Sequence, residues 1–239
     1  MKRILMPVVL VLVMLLAALP AQAQGGAVLE YGQFVQGDLK EGAIELVYTV
    51  EATEGDVVLI EMRRAPDSDL FSVALSVDDP SGDTIADTVE GNSSDVSFVA
   101  FIAEQTGTYA VTATRSQFSS STGTFLIRAL NLEVLEAGTA INNTVTNETY
   151  DVYYALPQDE EVSLSYVQTD GQFFLSFRIY YSVPDFGPAQ VASAGAIEGI
   201  TWRVSLETDD DFLTIVSIGT TAINFEFSDV DSNFELARE

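Results

Sequence analysis

Alternation of apolar and polar residues characterises the stretch Ile44–Val50, which reads IELVYTV and predicts a β-strand with one buried face. The same alternation returns further along the chain in Val152–Leu156, which reads VYYAL. Two more pairs of stretches repeat in the same order, Val58–Ile60 with Val162–Leu164 and Phe71–Val77 with Phe173–Ile179. The sequence therefore carries one strand pattern twice.

The spacing between the paired stretches indicates a duplicated domain. It stays close to about 100 residues, which is enough chain to close a hydrophobic core. Turn-forming residues separate the strands, and no long helical periodicity follows residue 23. We therefore predict an all-β chain of two tandem antiparallel β-sandwiches, over residues 24–131 and 132–239, with one face of each sheet buried.

The first 23 residues have the features of a signal peptide. Lys2 and Arg3 precede the apolar run Ile4–Leu19, and Ala21-Gln22-Ala23 matches a signal-peptidase site. We expect cleavage between Ala23 and Gln24, and a secreted or periplasmic mature protein with no membrane insertion. The alternative is an uncleaved membrane anchor, although the apolar run is short for a bilayer-spanning helix.

The charge of the chain limits its partners. Once the signal peptide is removed, 36 acidic residues face eight basic ones, a net charge of −28. Such a field repels nucleic acid and anionic lipid surfaces, so neither is an expected partner. The charge can also serve solubility alone.

The absence of histidine and cysteine excludes several kinds of catalytic and metal site. Ser-His-Asp and Cys-His systems, imidazole or thiolate zinc sites and disulfides all need these residues. The sequence predicts a non-catalytic protein, and a hydrolase that uses only carboxylates is the enzymatic alternative.

The first half of the chain resembles the bacterial pre-peptidase C-terminal domain family. The resemblance rests on Tyr48 and on short glycine-containing motifs in a fixed order: Gly37-Asp38-Leu39, Gly55-Asp56-Val57, Asp79-Pro80-Ser81-Gly82, Gly107-Thr108-Tyr109 and Gly123-Thr124-Phe125. The second half keeps the strand pattern but lacks these motifs, and Asp211-Phe212-Leu213 stands where Gly-Thr-Tyr is expected. It is interpreted as a diverged copy.

This resemblance implies a fold and a general role. Members of the family are small sandwiches of jelly-roll type that accompany secreted hydrolases without being catalytic. We therefore expect a secreted or periplasmic binding or scaffold protein, with an extracellular protein or a polysaccharide as partner. The alternative is a calcium-dependent carbohydrate- or matrix-binding accessory protein to a secreted hydrolase.

Acidic loops are the candidate metal sites. Asp78, Asp79 and Asp83 stand together in the turn after a predicted strand and offer the oxygen ligands that calcium takes. The alternative is an ordinary turn with solvated carboxylates. Asp209-Asp210-Asp211 is a second acidic cluster, open to the same two interpretations. No other cofactor is expected.

Aromatic residues in the second half are candidate ligand contacts. Tyr180, Tyr181 and Phe186 are predicted to be exposed and to offer a stacking surface, or else to pack under a loop or against the first domain. Trp202 alternates with Val204 and Leu206 and is predicted to belong to the core, together with Phe173 and Phe177.

Overall fold

The computed structural model describes residues 26–88, 95–115, 120–146, 149–171, 175–183, 187–195, 198–220 and 231–239. These residues contain seventeen β-strands and no α-helix, which confirms the predicted all-β class. No helix in the described ranges is long and apolar enough to cross a membrane. The predicted signal peptide lies outside the described residues.

Nine strands of the first half form two sheets. One sheet has the strand order β1-β3-β8-β5-β6, and the other has the order β2-β9-β4-β7. The strands are β1 (Ala27–Val28), β2 (Val35–Leu39), β3 (Glu45–Ala52), β4 (Val57–Arg64), β5 (Val73–Asp78), β6 (Thr84–Asp87), β7 (Val96–Ile102), β8 (Gly107–Arg115) and β9 (Gly123–Asn131).

Eight strands of the second half form two further sheets, with the orders β10-β17-β12-β15 and β11-β16-β13-β14. The strands are β10 (Ala140–Val145), β11 (Asp151–Ala155), β12 (Glu161–Gly171), β13 (Leu175–Val183), β14 (Gly187–Gly195), β15 (Trp202–Glu207), β16 (Leu213–Thr220) and β17 (Ser232–Arg238).

The two halves have the same topology. Apart from β1, each half pairs its first, eighth, third and sixth strands in one sheet and its second, seventh, fourth and fifth in the other. This arrangement is the eight-stranded jelly roll. The repeated sequence pattern therefore corresponds to a repeated fold, while the domain limits of 24–131 and 132–239 stay predictions.

Each half has a hydrophobic core between its two sheets. The core of the first sandwich draws on residues from Leu29 to Ala129, and that of the second on residues from Leu135 to Leu236. In the first core the rings of Tyr48 and Phe125 meet edge to face at 6.3 Å between centroids. The two rings fit because residue 37 is a glycine. A Cβ at this position would lie 2.2 Å from Cζ of Phe125.

A third hydrophobic core joins the two sandwiches. The outer face of the sheet containing β4 packs on the outer face of the sheet containing β11, and the backbone N–H of Leu132 donates to the carbonyl of Val57 at 2.7 Å. The buried members are Val57, Leu59, Phe98 and Ala100 from the first sandwich, Leu132 from the junction, and Tyr153, Ala155, Leu213 and Ile215 from the second. The prediction that each sheet buries only one face is therefore wrong for two of the four sheets.

The four sheets therefore form a stack of four layers. The side chains on the two outermost faces differ from those on the faces inside the stack. On β4 the outward side chains begin with Val57 and Leu59, whereas on the equivalent strand β12 they include Ser163 and Ser165. Small polar side chains on the outer faces are compatible with water, so the stack ends at four layers.

A buried charge cluster lies beside the third core. Glu61 is fully buried, and its carboxylate accepts hydrogen bonds from Arg63 and from Nε of Arg128, the latter at 2.7 Å. Arg63 also donates to Oδ2 of Asp151 at 2.9 Å, and Arg178 lies 3.5 Å from the other oxygen of Asp151. The cluster thus links carboxylates and guanidinium groups of both sandwiches.

Aromatic rings cover this cluster. The guanidinium of Arg63 lies 4.2 Å from the ring centroid of Tyr150, and that of Arg128 lies 4.4 Å from the ring centroid of Phe34. Burial by itself lowers the pKa of Arg63, but the neighbouring carboxylates of Glu61 and Asp151 raise it above its ordinary value. Arg63 therefore stays charged inside the protein and keeps its hydrogen bonds to both carboxylates.

Candidate functional site

Two carboxylates of the predicted calcium loop, those of Asp78 and Asp79, are engaged within their own turn. Oδ1 of Asp79 accepts the backbone N–H groups of Ser81 and Asp83 at 2.8 and 2.9 Å, and Oδ1 of Asp78 accepts the hydroxyl of Thr84 at 2.7 Å. Gly82 completes the turn with a φ of 91°. The carboxylate of Asp79 thus closes a tight turn, which is common chemistry for aspartate at this position.

Asp79 also faces a cleft between the two sandwiches. The cleft has a volume of about 380 Å³. Ile85, Phe101 and Leu213 are among its apolar residues. Four acidic residues line it, Asp79 and Glu104 from the first sandwich and Asp210 and Asp211 from the second.

Hydrogen bonds hold the walls of the cleft in place. Nε2 of Gln105 donates to Oδ2 of Asp79 at 3.2 Å, and the hydroxyl of Tyr109 donates to the carbonyl of Gln105 at 2.8 Å. On the other wall Nε2 of Gln158 donates to the carbonyl of Asp210 at 2.9 Å. The acidic loops that the sequence singles out one hundred and more residues apart are therefore brought to one place.

The second acidic cluster is the more compact of the two. Asp209, Asp210 and Asp211 are exposed, and one carboxylate oxygen from each lies within 4.8 Å of the others. Among the described residues no such group forms from Asp78, Asp79 and Asp83. Whether either loop binds calcium stays a prediction.

The predicted aromatic surface is divided by the fold. Tyr180 packs edge to face on Phe98 of the first sandwich, with 5.0 Å between centroids, so its ring belongs to the interface. Tyr181 is half-buried and stacks on Phe212 at 6.3 Å. Phe186 lies outside the described residues. The structure therefore does not join Tyr180 and Tyr181 into one exposed platform.

Trp202 does not belong to the closed core, contrary to the prediction. It pairs with Tyr166 across β12 and β15 and points to the inner face, but it remains 41% exposed at the edge of the sandwich. Phe177, by contrast, is a core residue as predicted, and Phe173 lies outside the described residues.

The buried carboxylates are unsuited to acid–base chemistry. Glu61 and Asp151 are held by arginines and are closed to solvent, so no substrate reaches them. The carboxylates that line the cleft are partly or fully exposed and can bind a cation or a polar ligand. The site so described can hold a ligand by charge and by apolar contact.

Comparison with known proteins gives similarities of fold only. No protein-family model and no curated protein matches the sequence. The solved structures that are similar include the pre-peptidase C-terminal domain of a collagenase from Bacillus anthracis, with 14% identity and a TM-score of 0.37 over 45% of this chain and 97% of that one. The resemblance of the first half to this family stays a prediction.

Two other solved structures cover most of this chain. A tandem CBM22 domain from Paenibacillus barcinonensis Xyn10C is 11% identical, with a TM-score of 0.27 over 79% of this chain and 81% of that one. A secreted protein from Eubacterium rectale is 11% identical, with a TM-score of 0.33 over 91% and 80%. Nothing about a ligand or an activity follows from similarities at this level.

Proposed function

We propose that this chain is a secreted or periplasmic, non-catalytic binding protein whose partner enters the cleft between the two sandwiches. The observation that carries the proposal is the convergence of acidic side chains from both sandwiches over apolar residues in a cleft of about 380 Å³. Clefts at domain junctions are common ligand sites. The export signal predicted for residues 1–23 supports the location.

The lining of the cleft selects the chemistry of the partner. Asp79, Glu104, Asp210 and Asp211 repel anions and attract a basic group, while Ile85 and Phe101 favour an apolar body. A basic and apolar segment of an extracellular protein combines both properties. The partner proposed for the cleft is therefore a Lys- or Arg-containing peptide segment rather than an acidic polymer.

A matched pair of variants tests this proposal. The probe is a peptide of alternating lysine and leucine, titrated by calorimetry at constant ionic strength. Asp210→Asn/Asp211→Asn should weaken binding at least about tenfold, equivalent to about 1.4 kcal/mol. Asp67→Asn/Asp69→Asn removes the same charge from exposed positions that do not line the cleft and should have less than about twofold effect. Equal weakening by both variants would mean that the net charge alone attracts the peptide.

The second candidate function is a calcium-dependent carbohydrate- or matrix-binding accessory protein. The observation in its favour is the compact group of Asp209, Asp210 and Asp211, since calcium takes several carboxylate oxygens. The test compares thermal melting in calcium and in magnesium at matched ionic strength. A calcium-specific shift that is lost in Asp209→Asn/Asp211→Asn would place an ion there. A shift lost in Asp79→Ala/Asp83→Ala would instead place it in the first loop, and equal shifts for both ions would reject both sites.

A further inference from the structure

The second sandwich has an apolar groove along one open side. Strands β14 and β15 are the edge strands of its two sheets, and the groove of about 170 Å³ lies between them. Tyr166, Phe177 and Leu164 are its buried lining residues, while Ala194 of β14 and Trp202 of β15 stand on opposite sides. This groove is separate from the cleft between the sandwiches.

The groove exists because the strands at this edge carry side chains that do not fill the space. Three residues of β14 line the groove, Ala192, Ser193 and Ala194, and the two alanines pair with Ile179 and Phe177 of β13. Across the sandwich, Val204 of β15 remains half-exposed. In the first sandwich the equivalent residue, Val99, is only 1% exposed, because that side is closed.

One polar atom in the lining has no partner. Among the described residues none forms a hydrogen bond with the hydroxyl of Tyr166, although the residue is 1% exposed. The ring of Tyr166 stacks on Phe177 with 5.3 Å between centroids and an interplanar angle of 23°. A buried hydroxyl without a partner costs about 1–3 kcal/mol, and a ligand group that reaches it from the groove would offset part of that cost.

An aromatic face stands at the mouth of the same groove. Trp202 is the single tryptophan of the chain, and 41% of it is exposed. It lies directly beside Tyr166 in the strand pairing, so one ligand can touch both side chains. The neighbouring Arg203 is paired with Glu239 at 3.2 Å, which keeps the rim close to neutral.

We infer that this groove binds one pyranose unit of an uncharged polysaccharide. A pyranose has a flat C–H face that stacks on an indole and hydroxyl groups that bond a phenol, which are the two contacts offered here. An apolar cavity of about 150 Å³ binds benzene, so the groove of about 170 Å³ has room for one six-membered ring. The large negative charge of the chain opposes charged acidic polysaccharides. A purely apolar peptide side chain would leave the hydroxyl of Tyr166 unpaired.

The single tryptophan makes the test specific to the groove. Neutral oligosaccharides of glucose, mannose and N-acetylglucosamine are titrated against the mature protein while the fluorescence of Trp202 and its quenching by acrylamide are recorded. We expect at least one of them to give a saturable signal and to protect Trp202 from the quencher. Calorimetry with the same sugar then supplies affinities for the variants.

Two conservative variants separate binding from folding. Tyr166→Phe should weaken sugar binding about tenfold, the value of one lost hydrogen bond. Tyr48→Phe is the control, because the hydroxyl of Tyr48 also lacks a partner among the described residues but lies in the closed core of the first sandwich. Its affinity should stay within about twofold of the wild type, since its hydroxyl cannot reach the ligand.

Three results would overturn the inference. The first is that none of the neutral saccharides protects Trp202. The second is that Tyr166→Phe binds the sugar as tightly as the wild type does. The third is that an uncharged leucine-rich peptide protects Trp202 while the sugars do not. The peptide and calcium tests of the cleft are unaffected by any of these, because they concern other residues.

Discussion

At the residue scale, the most consequential feature is where the few arginines lie. Only eight basic residues remain after residue 23, yet Arg63, Arg128 and Arg178 are all placed in the charge cluster between the sandwiches. Removing one partner of a buried ion pair leaves an uncompensated charge, which costs far more than a surface pair. The cluster therefore makes correct docking a condition of stability.

Glu61→Gln tests the cluster. The variant leaves Arg63 and Arg128 short of a carboxylate in a buried place, and we expect the free energy of unfolding to fall by about 3–5 kcal/mol. Glu51→Gln is the control, because Glu51 is exposed and accepts one hydrogen bond from Thr108, so its change should stay within about 0.5 kcal/mol. Urea unfolding measures the stability of both variants. Equal losses would show that the buried cluster contributes no more to stability than an exposed carboxylate.

Gly37 is the second residue on which the first sandwich depends. Gly37→Ala forces a methyl group against the rings of Phe125 and Tyr48, and we expect a loss of about 2–3 kcal/mol from overpacking. Gly195→Ala makes the same change in strand β14 where nothing lies within 4 Å of the new Cβ. It should be neutral or stabilise by up to about 1 kcal/mol. A control that destabilises as much as Gly37→Ala would contradict the steric explanation.

Burial of Tyr48 predicts a loss of stability at alkaline pH. Desolvation raises the pKa of Tyr48 to about 12, against 10.0 in the unfolded chain. Below pH 10 Tyr48 is protonated in both states, and its contribution to stability is complete. Above pH 10 the unfolded state loses the proton first, so the free energy of unfolding falls by about 2 kcal/mol up to pH 12. Tyr48→Phe should lessen this fall by about that amount in urea unfolding at the two pH values, whereas an unchanged fall would refute the assignment.

At the element scale, the last strand closes the second sandwich. Strand β17 lies between β10 and β12, and its Phe234 and Leu236 are fully buried. Arg238 at its end donates to the carbonyl of Leu135 at 2.8 Å and pairs with Glu160. Without this strand β10 has no partner in the sheet, so the strand is expected to be required for folding.

Truncation tests this expectation. Removal of residues 231–239 should abolish the cooperative unfolding of the second sandwich and expose Trp202 fully to acrylamide. Removal of Glu239 alone breaks the exposed pair with Arg203 and one backbone hydrogen bond, which its N–H donates to the carbonyl of Ser163 at 2.9 Å, and should change stability by no more than about 1.5 kcal/mol. A truncated chain with the midpoint of the full-length protein would show that the strand is dispensable.

At the scale of the whole molecule, the stacking of four sheets makes the two sandwiches interdependent. Residues 24–131 have a core of their own and are expected to fold alone, but they would then expose Val57, Leu59, Phe98 and Ala100. An uncovered apolar face of this kind promotes association. Sedimentation should find the isolated fragment self-associated, and Leu59→Ser/Phe98→Ser should return it to a monomer with the same circular dichroism.

Two outcomes would contradict this prediction. A fragment that stays unfolded would show that the first sandwich needs the second to fold. A fragment that is folded and monomeric without substitution would show that the face tolerates water.

The all-β class and the duplicated strand pattern are both visible in the sequence. Alternation in stretches such as Ile44–Val50 is a local property, set by the two faces of a strand, so it is visible without knowledge of neighbours. The glycine and proline turns are local for the same reason. The burial of both faces of β4 also has a sign in the sequence, because Val57–Ile60 is an unbroken apolar run. Such a run does not identify the layer that covers the second face.

The contacts between distant residues follow from the packing of the sheets and are not visible in the sequence. Asp79 and Asp210 share a cleft, Tyr180 packs on Phe98, and Trp202 stays at an open edge although its strand alternates like a core strand. Each of these depends on contacts between residues far apart in the chain, and on the volume of facing side chains such as Ala192 and Ala194. The physical reason is that alternation specifies the face on which a side chain lies, whereas burial depends on what the opposite layer brings to it.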